Sequence, residues 1–493
     1  MRPAHGLLLL PLVVYLLVAV VWYEWRVNPL TGDEPHYLLT ADSLVRDGDL
    51  QVVNNHQIDT PVLREMPPGA VFTESHALNG YSLHGVGLPL LLVPAYALAG
   101  VLGAKVCMAL LSGLAPLLLY RLARPILGDT RWAIAVAVLL GLSQPYVIAS
   151  NQIYPDLLAG LIILYLLGHA AEPSPQGFYH EAPAGRTSKF GAMARAGIIY
   201  HEAHEAHEDR TVTPPQTVAW WRSGLLLAFL PWLHLKLTLP AIILWGFYVW
   251  RLVRRQKGAH EGHIHLIWPL VASLLGLAAY HAVAFGSIFG PYQPGDATTD
   301  VSHISMILLG LHLDRLQGLF VLAPIYLLGV FGLALFAAAD GPLALLTGLL
   351  YLAVMLPNAL HTNWYGGVSV IGRFHWTGAL LWSLPLLYGL RHLRARGRSA
   401  LAVGFLIVTG LCQVVVLAKL LIPNAYLYND PLVSVAGWTE SNPYSDFFAL
   451  TPWQRIQFLP SFRDLTTYLG APVNWVALGL VVALLLAGRR TLR

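Results

Sequence analysis

Leu7-Leu8-Leu9-Leu10-Pro11-Leu12-Val13-Val14-Tyr15-Leu16-Leu17-Val18-Ala19-Val20-Val21-Trp22-Tyr23 is followed, nine residues on, by Gly32-Asp33-Glu34-Pro35-His36-Tyr37. The first stretch is apolar all round and long enough, as a helix, to cross most of a ~30 Å hydrocarbon layer. The second puts two adjacent carboxylates just beyond it, where desolvation is costly unless they are paired or used. Between them, Trp22-Tyr23-Glu24-Trp25-Arg26 reads as an interfacial aromatic belt. No small-x-small cleavage site follows, so the run is expected to span rather than to be removed.

The rest of the 493 residues repeats this pattern. The chain is 56% hydrophobic and 11% charged, with a mean hydropathy of +0.58, against roughly 25% charged residues in soluble domains. Apolar runs fall near 7–23, 104–120, 132–149, 153–170, 222–234, 237–251, 265–285, 318–337, 341–357, 376–390, 400–420 and 472–488. The expectation is an all-α polytopic membrane protein with about 12 transmembrane helices. Cys107 and Cys412 both fall inside such runs, which argues against a structural disulfide or a cysteine metal site.

Charge sets the orientation. With the N-terminus in the cytoplasm, the clusters Arg121/Arg124/Arg131, Arg251/Arg254/Arg255/Lys257, Arg391/Arg394/Arg396/Arg398 and Arg489/Arg490/Arg493 all fall inside. Adding Arg2 and the five basic residues of 171–222 places 20 of the 30 Lys and Arg on the cytoplasmic side, as the positive-inside rule requires. Both termini are then cytoplasmic. Leu88–Tyr96, short and holding Pro89 and Pro94, reads as a helix on the outer surface, because a crossing there would invert every later cluster. A kinked spanning helix is the alternative.

This organisation gives a core over 1–420 with a long extracytoplasmic loop at 24–103 and a cytoplasmic insertion at 171–222. An aromatic-rich extracytoplasmic region follows at 421–471, then a last span and basic tail at 472–493. The insertion contains His201-Glu202-Ala203-His204-Glu205-Ala206-His207-Glu208. Its i, i+3, i+6 histidine spacing drifts around a helix, unlike the i, i+4 pair of a zinc-protease helix. It reads as a solvated loop, as do His260, His263 and His265.

The same parity puts Asp33, Glu34, His36, Tyr37, His84, His234, Lys236, Asp314, Arg315, Trp364, Tyr365 and Arg373 on the outer side. A carboxylate beside cations at a membrane surface suits transfer from a lipid phosphate. The carboxylate takes a proton from a hydroxyl acceptor, and fixed positive charge receives the departing phosphate. Against this stand plainer readings. Asp33 and Glu34 with Pro35 form a normal helix start, Lys236 can snorkel at a helix end, and Arg373 can form a surface ion pair.

Several motifs together resemble bacterial polytopic glycosyltransferases of the C-type fold, a superfamily that includes protein O-mannosyltransferases and lipid A aminoarabinose transferases. They are Gly32-Asp33-Glu34-Pro35-His36-Tyr37 after the first span, Arg46-Asp47-Gly48-Asp49-Leu50, Asn54-Asn55 and Tyr81-Ser82-Leu83-His84-Gly85-Val86-Gly87-Leu88-Pro89. Leu230-Pro231-Trp232-Leu233-His234-Leu235-Lys236, Asp314-Arg315-Leu316-Gln317-Gly318-Leu319 and Trp364-Tyr365-Gly366-Gly367 continue the resemblance. It implies an extracytoplasmic active site in a bacterial inner membrane, with interfacial helices in the first loop and a polyprenyl-phosphate-linked sugar as donor. Asp33 is then the expected base, with Glu34 holding the acceptor or orienting Asp33. Lys236, and with it Arg373 and His84, is expected near the donor phosphate. Relatives often carry Ser-Pro-Pro before the arginine, where this chain has Ser369-Val370-Ile371-Gly372-Arg373.

The acceptor is expected to be a hydroxyl on a glycan, lipid or protein. No motif calls for a cofactor, no Asp-x-Asp element marks a nucleotide-sugar site, and a divalent metal is compatible with the carboxylates without a ligand set to mark it. Nothing points to a nucleic-acid partner. A transporter or lipid flippase for a lipid-linked envelope precursor is the alternative. Transporters place charge near the midplane, often in inverted repeats, whereas no internal repeat is visible here and the charges gather at one face.

Overall fold

The computed structural model describes residues 3–25, 29–66, 77–171, 216–254, 260–291, 301–314, 318–360, 369–421 and 475–492. Among them the chain is helical apart from one antiparallel hairpin, β1 (Ala77–Leu78) and β2 (Tyr81–Ser82). After a 3₁₀ turn at Pro3–Leu9 come α1 (Leu10–Glu24), α2 (Glu34–Arg46), α3 (Val53–Gln57) and α4 (Pro61–Arg64). The middle of the chain forms α5 (Gly87–Ser112), α6 (Leu114–Leu127), α7 (Thr130–Gly141), α8 (Gln144–Ala149), α9 (Pro155–Ala171), α10 (Gln216–Leu233), α11 (Thr238–Arg254) and α12 (His260–Phe285). The last elements are α13 (Val301–Leu313), α14 (Leu319–Leu322), α15 (Leu327–Ala339), α16 (Gly341–Leu360), α17 (Trp376–Ala395), α18 (Ser399–Leu421) and α19 (Trp475–Arg490).

Five helical stretches among the described residues are long and apolar enough to cross a membrane: His5–Glu24, Gly87–Leu127, Leu266–Phe285, Gly341–Leu360 and Ser399–Ala418. Their outward faces are as apolar as their inward ones. Only 22% of the Leu266–Phe285 window and 28% of the Ser399–Ala418 window is buried, and Leu401, Ile407, Val408, Leu411 and Val414 stand exposed along α18. Water would not tolerate such faces, whereas lipid does. The chain is a multi-pass membrane protein.

Three expected runs are not single helices. The run 132–149 breaks at Leu142-Ser143 between α7 and α8, and 318–337 is divided into α14, a 3₁₀ turn at Pro324–Tyr326 and α15. Pro145 at the start of α8 and Pro324 at the start of the turn account for both breaks, since proline donates no amide and crowds the preceding turn. The run 104–120 is divided between α5 and α6. Leu88–Tyr96 is helical, but it opens the 26-residue α5 rather than standing as a separate surface helix, and α5 is kinked just beyond it, at Ala99 (φ −147°, ψ 24°) and Gly100 (φ 56°, ψ −137°). The region 421–471 and most of 171–222, including the His/Glu tract, lie outside the described residues.

Helix association in lipid gains little from the hydrophobic effect and relies on close packing. Between α15 and α17, a Cβ on Gly332 would meet the Pro385 carbonyl, and one on Gly389 would lie 2.8 Å from the Leu328 carbonyl oxygen. At the head of the molecule α2 is pinned to α5 by a polar hub. Asp42, 1% exposed, accepts from Tyr96 Oη and Arg46 Nε at 2.9 Å each and from Asn55 Nδ2 at 3.1 Å. That anchor holds the acidic loop against the helix bundle.

Candidate active site

Four charged side chains from distant parts of the sequence meet where helices end. Asp33 precedes α2, Asp156 lies in the first turn of α9, Lys236 sits in the 3₁₀ turn Leu235–Leu237 between α10 and α11, and Arg373 opens the 3₁₀ turn before α17. Arg373 Nη2 lies 2.5 Å from Asp33 Oδ2, and its Nε lies 3.6 Å from Asp156 Oδ2. Lys236 Nζ donates to Asp156 Oδ1 at 3.0 Å and to Asn358 Oδ1, near the end of α16, at 3.3 Å. The order along the cluster is Asp33, Arg373, Asp156, Lys236.

Local chemistry aims each group. Gly372 takes φ +75°, a left-handed turn that a side chain would strain, and a Cβ there would also press on Leu322. The reversal turns Arg373 inward, where its guanidinium lies 3.8 Å from the centroid of the Tyr154 ring. Tyr154 Oη accepts from the Asp33 amide at 3.3 Å and donates to the Thr31 carbonyl at 3.0 Å. His234 Nδ1 accepts from the Lys236 amide at 3.2 Å and so shapes the lysine's turn.

Asp33 occupies the N-cap position of α2, but its side chain makes no capping hydrogen bond. The motif does start α2, with Pro35 in its first turn, but the Asp33 carboxylate turns to Arg373 rather than capping the helix. Its neighbour behaves differently. Glu34 is fully buried; its two oxygens accept from the amides of Ile153 at 2.9 Å and Thr31 at 3.3 Å, and Lys105 Nζ stands 4.0 Å away. Glu34 thus ties the acidic loop to the α8–α9 connection. Asp33 keeps 24% of its side chain exposed and is the more accessible of the two among the described residues.

The two carboxyls are pushed in opposite directions. Burial alone would raise Asp33, yet Arg373, then His84 and His36, outweigh it and hold the group well below the usual carboxylate range. For Glu34 burial wins over Lys105 and the two amides, and its pKa is raised. At Arg373 the loss of hydration is overcome chiefly by Asp33, which keeps the guanidinium charged. Burial and the nearby Lys236 ammonium push His234 down to about 3, so its ring is neutral at physiological pH.

His84 stacks on His36 at 5.0 Å between ring centroids and lies 5.2 Å from Tyr37, whose ring meets Tyr154 edge-on. These aromatics line the Asp33 side of the cluster. Asp314 is buried at the end of α13, where its amide and carbonyl close the turn from Gly310 to Gly318. Arg315, Trp364 and Tyr365 lie outside the described residues. Among the described residues no group of three or more His, Cys, Asp or Glu side chains is placed to hold a metal ion.

Asp156, Lys105, Tyr154 and Asn358 were not anticipated from sequence. Asp156 and Lys105 each carried a signal: a lone ionisable residue inside or at the edge of an apolar run is costly and needs a partner.

No protein-family model matches the chain, and no curated protein matches it. Among solved structures it is similar to the crystal structure of ArnT from Cupriavidus metallidurans in the apo state. The identity is 15% and the TM-score 0.46, over 97% of this chain and 72% of that one.

Proposed function

We propose that this protein is a glycosyltransferase of the C-type fold, with about twelve spans, that moves a sugar from a polyprenyl-phosphate carrier to a hydroxyl acceptor on the extracytoplasmic side of the membrane. The observation that carries the proposal is the placement of Asp33. It is a partly exposed carboxylate at the end of the helix bundle, in direct contact with one buried cation, Arg373, and linked through Asp156 to a second, Lys236.

In this reading the acceptor hydroxyl gives its proton to Asp33 as its oxygen bonds to the anomeric carbon from the face opposite the phosphate. The carbon–oxygen bond to the phosphate breaks, its electron pair stays on the phosphate oxygen, and Arg373 and Lys236 receive that charge. Asp33 paired with Arg373 is a weak base. A donor phosphate that draws the guanidinium towards itself relieves this, so donor binding prepares the base for the acceptor. Asp156 keeps both cations in place and offsets their charge while the site is empty. Glu34, with its oxygens engaged by backbone amides, acts by fixing the Asp33 loop.

A transporter is less well supported, because the ion-paired cluster sits where helices end rather than at their middles. The test is reconstitution in liposomes with a synthetic polyprenyl-phosphate sugar and envelope acceptor fractions. Covalent transfer that disappears in Asp33→Asn supports the proposal. Full activity in that variant removes Asp33 from the mechanism, and translocation without transfer favours the transporter.

A further inference from the structure

Further along α16 the molecule has a second feature, distinct from the ion-pair cluster in its lining residues. A cavity of about 650 Å³ lies between α15, α16, α17 and α19. Small residues carve it: Ala334 and Ala337 on α15, and Gly341, Ala344 and Gly348 on α16. A Cβ built on Gly341 or Gly348 meets nothing within 4 Å. The rim is open sideways, with Leu345 64% and Leu485 38% exposed.

Its walls offer almost nothing polar. The Thr347 hydroxyl donates to the Leu343 carbonyl of its own helix at 2.7 Å, and Tyr351 Oη lies 2.5 Å from His312 Nε2. One charged residue lines the cavity, Arg489. It is exposed and lies at the end of α19, where Gly488 packs directly against the Phe331 carbonyl.

We propose that this cavity holds one anionic phospholipid, with an acyl chain along the α15–α16 groove and its phosphate at Arg489. From Gly341 to Tyr351 the groove follows α16 for about 15 Å, a length suited to a lipid chain. An apolar slot open to the bilayer and closed by a single arginine matches an anionic lipid better than a zwitterionic one. The polarity of the slot also argues against the sugar donor as occupant. Asn358, which touches Lys236, is about 25 Å further along the same helix than Gly341, close to a bilayer thickness. Gly341 thus marks the end of the slot far from the candidate active site, and Tyr351 its nearer end, about 10 Å from Asn358 along α16.

The test is native mass spectrometry of the purified full chain, released from detergent with phosphatidylglycerol or phosphatidylcholine added. The wild type is expected to retain phosphatidylglycerol about fivefold better, and Arg489→Gln to retain the two lipids equally. Gly348→Leu, which fills open space, is expected to lose both while remaining monodisperse with an unchanged melting temperature. A phosphatidylglycerol preference that survives Arg489→Gln, or retention unchanged in Gly348→Leu, overturns the proposal. So would cross-linking that finds residues 422–474 of this chain, or a second copy, seated in the slot.

Discussion

Arg373 holds Asp33 in a 2.5 Å contact, so the residue best placed to accept a proton is also the one whose charge is most stabilised. For the proposed reaction, Asp33→Asn is expected to lower transfer by at least ~10²-fold, the scale of general-base catalysis. Binding of the polyprenyl-phosphate donor should be retained or tightened, because Arg373 no longer has to leave Asp33. Turnover in proteoliposomes and donor binding, measured on the same preparation, check the two halves.

Asp156 joins two cations, and removing it leaves both buried without their shared anion. Asp156→Asn is expected to destabilise by about 3–5 kcal/mol, as for other broken buried pairs. Lys236→Met alone should cost a similar amount by leaving Asp156 short of a partner, although Arg373 remains at 3.6 Å. The double variant should recover part of the sum, and a thermal double-mutant cycle in detergent measures the coupling.

The opposite shifts of the two loop carboxyls give opposite pH dependences. Asp33 is lowered, so its stabilisation is fully present above the ordinary value of 3.8 and is lost only as pH falls towards the folded value. Glu34 is raised, so its contribution is present below the ordinary value of 4.5 and is lost as pH rises through the folded value. The melting temperature of the wild type should fall towards that of Asp33→Asn as pH drops below 3.8, and should fall relative to that of Glu34→Gln as pH rises above 4.5.

Burial decides which ion pairs matter. Lys105 is 2% exposed beside the fully buried Glu34, whereas Arg64 and Asp59, 62% and 69% exposed, form a shorter pair at the surface. Lys105→Met is expected to lower the melting temperature sharply, and Arg64→Ala to leave it unchanged, because water screens the exposed pair. Equal effects in differential scanning fluorimetry would contradict this ranking.

Membrane class and most helix positions were legible because lipid imposes one rule: an apolar run long enough to satisfy its own backbone. The breaks inside 132–149 and 318–337 were harder to see, since the runs stay apolar through Pro145 and Pro324. In the site, Asp33, Lys236 and Arg373 stood out as charges beside spans. Asp156 did not, because it was absorbed into the apolar stretch that follows it. Pairing was the least legible property. Sequence gave two like-charged residues, Lys236 and Arg373, to one face, and only folding shows the carboxylate that lets them share it.

The contact between positions 33 and 373 also sets a clock. Asp33 leaves the ribosome with the first helix, and Arg373 is added 340 residues later. During that interval the early loop waits with its acid uncompensated, and so does Asp156 until Lys236 arrives. A chain halted before Arg373 can insert most of its helices, with Asp156 already paired to Lys236, and still leave Asp33 without its cation. Completion of the site is thus among the last events of biogenesis, and quality control that senses exposed charge has a feature to read until then.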